Sequence, residues 1–177
     1  MVEIRLAGAD DVAVIAALER AYLHDELARS ANSMKGQAFN EKEIAELVSH
    51  HYVVVAEEQG QILGYVFAGS WSFFANWPIY RGLLRRLPEY EFAGQRLTER
   101  NTCQYGPIWV HSARRGQGIF EALVAHIRML TRQKFVSMLT FIAEDNQRSY
   151  AAHAGKGAMQ VVDYYTFGDR DYYVLLG

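Results

Sequence analysis

The sequence has little of what would staple, anchor or strongly charge a chain. It holds one cysteine, Cys103, so an intramolecular disulfide and a disulfide framework are both excluded. A lone cysteine suits a reducing compartment, and a cytoplasmic location is expected. Charge of neither sign dominates: 18 Lys and Arg face 20 Asp and Glu, and the isoelectric point is near 6.3. Non-specific nucleic-acid binding needs dense positive charge, so no nucleic-acid partner is expected. The opening residues, Met1-Val2-Glu3-Ile4-Arg5, lack a basic region followed by an apolar run, and no signal peptide is expected. The segment Ile62 to Tyr80 carries no charge, yet Gly64, Gly69, Ser70, Ser72, Asn76 and Pro78 interrupt it. Such a segment reads as a strand followed by a loop, and no membrane partner is expected. Internal repeats and low-complexity tracts are also missing.

What is present is core material. Half the residues are hydrophobic and 21% are charged, which is too apolar and too balanced for disorder. A chain of 177 residues suits one domain spanning 1–177 and can bury enough surface to dispense with a structural metal. Phe, Trp and Tyr make up 13% of it, and they cluster. Tyr65, Phe67, Trp71, Phe73, Phe74, Trp77 and Tyr80 form one group; Tyr164, Tyr165, Phe167, Tyr172 and Tyr173 form another. Two uses remain open. The rings can wall a pocket for a small amine, with cation–π contact to a charged one. They can equally serve as core or as the contact of a homodimer.

Periodicity gives the order of elements. Glu3–Leu6 reads as a strand. Asp10 and Asp11 are candidate N-caps for a helix carrying Val12, Ile15, Leu18 and Tyr22 on one face. Asn40 precedes a second helix with Glu41 and Glu43 in its first turn. Tyr52–Ala56 and Ile62–Phe67 flank Gln59-Gly60 as a hairpin. The stretch from Trp71 to Arg100 is irregular and reads as an insertion at about 71–100, partly helical around Ile79–Leu87. Then come a strand over Gln104–Val110, a helix from about Gly118 to Gln133, and a strand over Val136–Ala143. A short helix over Gln147–Ala154 and two strands, Gln160–Thr166 and Tyr172–Leu176, complete the chain. The fold class expected is α+β (α/β mixed), with one mixed sheet flanked by helices.

The most informative stretch runs from Gly106 through Pro107, Ile108, Trp109 and Val110 to Arg114-Arg115-Gly116-Gln117-Gly118-Ile119-Phe120. A strand ends and a helix begins around two glycines and an arginine. The first amides of a helix have no internal partner and lie at its positive end, so this turn suits a phosphate or pyrophosphate. A tight turn with a solvated arginine is the alternative. No Gly-Lys-Ser/Thr follows, so the turn is not a P-loop. It also sits too late in the chain for a dinucleotide fold.

This stretch resembles the acetyl-CoA signature of the GNAT superfamily of N-acetyltransferases, Arg/Gln-x-x-Gly-x-Gly/Ala. Arg115, Gly118 and Phe120 fall on its fixed positions, with Phe120 in place of a small residue. Asn146, Ser149, His153 and Gly157 are similar to the family's downstream Asn-x-x-Ala-x-x-x-Tyr-x-x-x-Gly-Phe pattern, with Ser, His and Ala158 substituted. Ile4-Arg5-Leu6-Ala7 with Asp10-Asp11, and Val55-Ala56-Glu57 through Gly64, are similar to its opening strand and second hairpin. Gly106-Pro107 is similar to branches that act on amino-acid analogues.

The resemblance implies a splayed, mostly antiparallel mixed sheet with acetyl-CoA beside Gln104–Val110 and no metal. Ile108, Trp109 and Val110 would line the pantetheine arm. Arg115, Gly116, Gln117, Gly118, Ile119 and Phe120 would hold the pyrophosphate. Asn146 would cap its helix and reach the cofactor; as a plain N-cap it needs no second role. The chemistry implied is direct attack of an amine on the thioester, without a covalent enzyme intermediate. His153 or Tyr150 would protonate the leaving thiolate, and Glu144 or His111 would serve as base. Acceptor specificity would lie in Tyr22–Phe39, Trp71–Arg100 and the C-terminal hairpin. The activity implied is transfer of an acetyl group to a primary amine of a small-molecule or amino-acid-like acceptor. The alternatives are a silent CoA-binding or regulatory domain and an enzyme acetylating protein N-termini or lysines.

Overall fold

The computed structural model describes residues 1–27 and 38–177. Its elements are β1 (Glu3–Leu6), α1 (Val12–Leu27), α2 (Glu41–His50), β2 (Tyr52–Glu58), β3 (Gln61–Gly69), α3 (Trp71–Phe74), α4 (Pro78–Arg86), β4 (Glu91–Phe92), β5 (Gln95–Arg96), β6 (Thr102–Val110), α5 (Ile119–Thr131), β7 (Ser137–Ala143), α6 (Gln147–Ala154), β8 (Gln160–Phe167) and β9 (Arg170–Leu176). The sheet order among the described residues is β1-β2-β3-β6-β7-β9-β8, with β4 and β5 as a separate small hairpin. Among the described residues only β6 and β7 run parallel. The mixed α+β sheet expected from the sequence is therefore what forms.

Local chemistry sets the helix starts. Asn40 accepts the Glu43 amide at 2.9 Å, and the Glu43 carboxylate reaches back to the Asn40 amide, so two orphan donors are met at once. At α1 the expectation of Asp10 or Asp11 as N-cap needs correction. A short 3₁₀ turn (Ala9–Asp11) precedes the helix, and Gly8 stands at the turn's cap position. Asp11 reaches back to the Gly8 amide at 2.7 Å and also binds the Arg5 guanidinium at 2.8 Å. That guanidinium holds the Asp11 carboxyl below its usual range. The β2–β3 hairpin turns through Gln59 and Gly60, both at positive φ.

The sheet divides the core into two layers. On one face α1 and α2, together with α3 and α4, enclose Ile15, Ile44, Leu47, Phe67, Trp71, Phe74, Ile79, Leu83 and Val174. On the other, α5 covers Val54, Val66, Tyr105, Leu123, Ile127, Met138 and Leu175. The segment 71–100 belongs to the first layer. Of the seven aromatics between Tyr65 and Tyr80, all but Trp77 are buried, so they build core and not an open pocket wall. Phe39 packs within 6.0 Å of Phe67, Phe73, Phe74 and Trp77, tying α2's approach to the segment. Of the stretch Tyr22–Phe39, expected to read the acceptor, residues 28–37 lie outside the described residues.

Candidate active site

The site is built where two strands part. The β6–β7 ladder runs through Thr102↔Ser137, Cys103↔Met138 and Gln104↔Leu139 and then stops. Both strands continue on their outer sides. β6 pairs with β3 as far as Val110↔Gly64, and β7 pairs with β9 as far as Ala143↔Tyr172. A gap therefore opens between residues 105–110 and 140–143.

The cause of the parting lies in β6. Its register with β3 shifts between Val66↔Ile108 and Ala68↔Tyr105, so β6 carries one extra residue there. That bulge contains Gly106, at φ +100°, and Pro107, which has no amide hydrogen to give to a ladder. A bulge bends the strand that carries it and raises its twist, which turns the second half of β6 away from β7.

The parting leaves main-chain groups facing the gap. His111 donates its amide to Leu63 O at 2.8 Å, which makes 111/63 a hydrogen-bonded pair. Pairs alternate along an antiparallel ladder, so Trp109 also bonds toward β3 while Ile108 and Val110 turn their N–H and C=O groups toward the gap. Arg115 Nε takes the Val110 carbonyl at 3.2 Å. The remaining groups offer an extended ligand the partners a strand would offer.

The glycine turn closes one end of the gap. Gly116 (φ +77°) and Gly118 (φ +85°) are both left-handed, and a Cβ at either would meet nothing within 4 Å. The turn is thus open on its outer side, with Gly118 as the cap of α5 and the amides of Ile119 and Phe120 in its first turn. Arg115 is exposed beside it. Arg114 is committed elsewhere: it binds Glu58 at 2.6 Å and Gln117 at 2.8 Å, bracing the turn against the end of β2. The Phe120 ring is half-buried and turned onto His153, edge to face at 5.1 Å. Its bulk goes into the seam between α5 and α6.

The four residues expected to move protons lie in different surroundings. His153 is 3% exposed. Its Nδ1 lies 2.7 Å from Ser149 O and its Nε2 3.1 Å from the Tyr105 hydroxyl. Burial pushes its pKa below the ordinary histidine value. Tyr105 is fully buried, and burial pushes its phenol well up. Tyr150 is half-buried and packs on Tyr173, the rings tilted and 4.6 Å apart. Asn146 caps α6 by accepting the Ser149 amide at 3.3 Å. Glu144 is exposed at the end of β7; it lines a cavity of about 370 Å³ with Asp145, Gln147, Asp169, Arg170 and Asp171. His111 accepts the Ala113 amide on Nδ1 at 3.1 Å, which occupies the lone pair a base would use in that tautomer.

Tyr105 is the residue that sequence reading misses. It is one more apolar-looking position of a strand, and only the fold brings it to His153, 48 positions along the chain. The one signal available is its place beside the Gly106-Pro107 bulge.

Among the described residues no group of three or more His, Cys, Asp or Glu is placed to hold a metal ion. No described helix is long and apolar enough to cross a membrane.

Residues 16–157 match the model of the acetyltransferase (GNAT) family. No curated protein matches the sequence. Solved structures share the fold at low identity. A ribosomal-protein-alanine N-acetyltransferase from Brucella melitensis is 21% identical, with a TM-score of 0.68 over 99% of this chain and 98% of that one. An N-acetyltransferase from Staphylococcus aureus Mu50 is 20% identical, with a TM-score of 0.65 over 99% and 97%. A phosphinothricin acetyltransferase from Sinorhizobium meliloti, solved with acetyl-CoA, is 20% identical, with a TM-score of 0.67 over 99% and 87%. A gap between parallel strands, a glycine turn opening a helix at its end, and a family match over most of the sequence agree: the chain belongs to the GNAT acetyltransferases and is an acyltransferase whose acyl donor is acetyl-CoA.

Proposed function

We propose that the protein is a single catalytic domain that moves the acetyl group of acetyl-CoA to a primary amine of a small molecule. Arg115, Gly116, Gln117, Gly118, Ile119 and Phe120 hold the pyrophosphate through main-chain amides and the Arg115 charge. The pantetheine arm lies along β6 and bonds Ile108 and Val110, with Trp109 beside it. Asn146 stands at the start of α6, on the opposite side of the gap. Acetyl-CoA supplies the activated acyl carbon when bound; the chain's own part is to hold and orient it and to move one proton from the amine to the thiolate.

The observation that carries the small-acceptor reading is the aromatic layer beside the gap. On the face opposite α5, Tyr80 of α4 packs on Phe141 of β7 at 5.4 Å, and Phe141 packs on Tyr172 of β9 at 5.3 Å. Trp109 packs on Tyr65 at 5.6 Å. The segment 71–100 adds Tyr80 to rings carried by β3, β6, β7 and β9, and a packed aromatic layer on this side of the gap favours a compact amine over a folded protein terminus. The neighbours do not choose, since one is named for a ribosomal protein and another for phosphinothricin.

Titration calorimetry with acetyl-CoA, followed by a thiol-release assay over small amines, amino acids and peptides, tests the reading. Turnover with small amines and none with peptides is expected. Turnover with peptides alone overturns the acceptor class, and tight acetyl-CoA binding without any turnover would favour a silent CoA-binding domain.

A further inference from the structure

The apex of the gap is set by Gln104, the last β6 residue in register with β7. Met138 exchanges both main-chain bonds with Gly177, at 2.8 and 3.0 Å, so Met138 faces β9 and Leu139 faces β6. In the parallel ladder Leu139 then serves Cys103 and Tyr105, the β6 residues on either side of its partner Gln104. The Tyr105 carbonyl is therefore the first main-chain acceptor of β6 to face the gap past the last ladder pair. Gln104 covers it: Nε2 donates to Tyr105 O at 2.8 Å. The carboxamide of Gln104 thus lies at the apex, where the strands begin to part. It reaches that point from the side of the aromatic layer. Cys103 and Tyr105 point into the core beneath α5, and alternation along the strand sends Gln104 to the opposite face.

One end of this carboxamide is fixed and the other is open to a donor. A carbonyl only accepts, so nitrogen must be the end that meets Tyr105 O, and Oε1 is left as an acceptor. Gln104 is 2% exposed, and its Oε1 is buried with no hydrogen-bond partner among the described residues. Buried polar groups in folded proteins are nearly always bonded, so an oxygen held in this way calls for a donor. The cofactor brings none to the apex. With the pyrophosphate at residues 115–120 and the pantetheine arm on Val110 and Ile108, the cofactor runs toward Gln104 and its acetyl end lies nearest. An acetyl group and a thioester sulfur carry no N–H or O–H. The amine to be acetylated does.

We infer that Gln104 is the residue that receives the acceptor amine: Oε1 takes one N–H of the neutral primary amine and so aims the nitrogen lone pair at the thioester carbon. This rests on the reading of the protein as an acetyltransferase of small amines. As the lone pair becomes the N–C bond, positive charge develops on nitrogen and the bond to Oε1 strengthens, so the contact is worth more in the transition state than before it. The C–S bond then breaks with its electron pair going to sulfur. The hydrogen held by Oε1 stays on nitrogen in the amide, the other amine hydrogen is lost as a proton, and the thiolate gains a proton. Gln104 neither gives nor takes one. A secondary amine has a single N–H, which it must lose, so the site selects primary amines.

Gln104→Met keeps the length of the side chain and removes the oxygen. For the amine that turns over fastest in the panel above, kcat/KM should fall about 30-fold, with the Kd for acetyl-CoA by calorimetry within about threefold of wild type. The preference for that amine over its N-methyl derivative should shrink about tenfold. A kcat/KM within about threefold of wild type overturns the inference, as does an unchanged preference. A loss matched by an equal rise in the acetyl-CoA Kd overturns it too, because the oxygen would then serve the cofactor. If the variant does not fold, the side-chain ¹⁵N resonance of Gln104 in labelled wild-type protein decides. Titrating the same amine into protein saturated with CoA should shift it, and a resonance that stays in place while the amine binds overturns the inference. A wild type that acetylates no amine overturns the proposed function and this inference with it; a wild type that does, beside an unaffected variant, overturns this inference alone.

Discussion

At the scale of single residues, two tyrosines beside His153 differ in what they touch. Tyr150 and Tyr105 are both near His153, but only Tyr105 bonds it; Tyr150 packs on Tyr173. Tyr150→Phe keeps that packing and should leave kcat within about twofold of wild type, measured by thiol release. A loss of about 100-fold would make Tyr150 the residue that moves the proton. Gly82 shows how packing alone can dictate identity. It lies inside α4, where glycine is a poor helix former, yet a Cβ there would sit 1.8 Å from the Tyr165 hydroxyl. That hydroxyl donates to Ile79 O at 3.2 Å, joining α4 to β8. Gly82→Ala gains helix propensity but must push Tyr165 aside. A net destabilisation of about 1–3 kcal/mol is expected from overpacking, read by urea unfolding; an unchanged midpoint would show that Tyr165 yields freely.

At the scale of elements, the turn from β6 into α5 is the piece on which cofactor binding depends. Gly118 sits at φ +85° with open space beside it, so a substitution there strains the backbone without a clash. Gly118→Ala costs about 1–2 kcal/mol in that conformation and re-aims the amides of the first turn. The acetyl-CoA Kd should rise about tenfold, with the melting temperature lowered by roughly 2–8 °C, as calorimetry and thermal unfolding would show. Equal affinity would mean that the amides are not what holds the pyrophosphate. This turn was legible in the sequence because its signal is local: Val110, Arg115, Gly118 and the apolar face of α5 lie within a short span. The hairpin at Gln59-Gly60 and the cap at Asn40 were legible for the same reason. The parting of β6 and β7 was not derivable from periodicity, because a bulge at Gly106-Pro107 changes register without changing composition. Nor was the Tyr105–His153 bond, since two elements far apart in sequence must first pack. The aromatic-rich segment read as irregular because α3 and the β4–β5 hairpin are too short for a period to show. Its burial depends on a sheet face that no local pattern announces.

At the scale of the whole molecule, the balance of buried and paired groups sets how stability follows pH. Burial holds both His153 and His51 below the ordinary histidine pKa of 6.5 in the folded chain. The unfolded chain therefore binds protons, between that value and each folded one, that the native state refuses. The sign is then fixed: this contribution is whole above pH 6.5 and is lost as pH falls below it. Asp11 and Asp163 act in a lower window. Arg5 draws the Asp11 carboxyl down; Asp163, though partial burial opposes it, is drawn down by hydrogen bonds from Tyr90, the Tyr164 amide and Arg86. Their contribution is present above about pH 4 and is lost on further acidification. Urea unfolding from pH 7 down to pH 2 in unit steps should thus show stability falling in two stages, the histidine stage below about pH 6.5 and the carboxylate stage below about pH 4. In the first stage the slope due to His153 stays within about 1.4 kcal/mol per pH unit, the limit for one proton. His153→Gln leaves an oxygen to accept the Tyr105 hydroxyl but cannot titrate, so its slope between pH 7 and 5 should be clearly shallower, with His51 carrying the remainder. A variant as steep as wild type would mean that His153 binds its proton equally well folded and unfolded. An imidazole so placed would be open to water, contrary to the closed seam of Tyr105, Phe120 and α6 in which it lies.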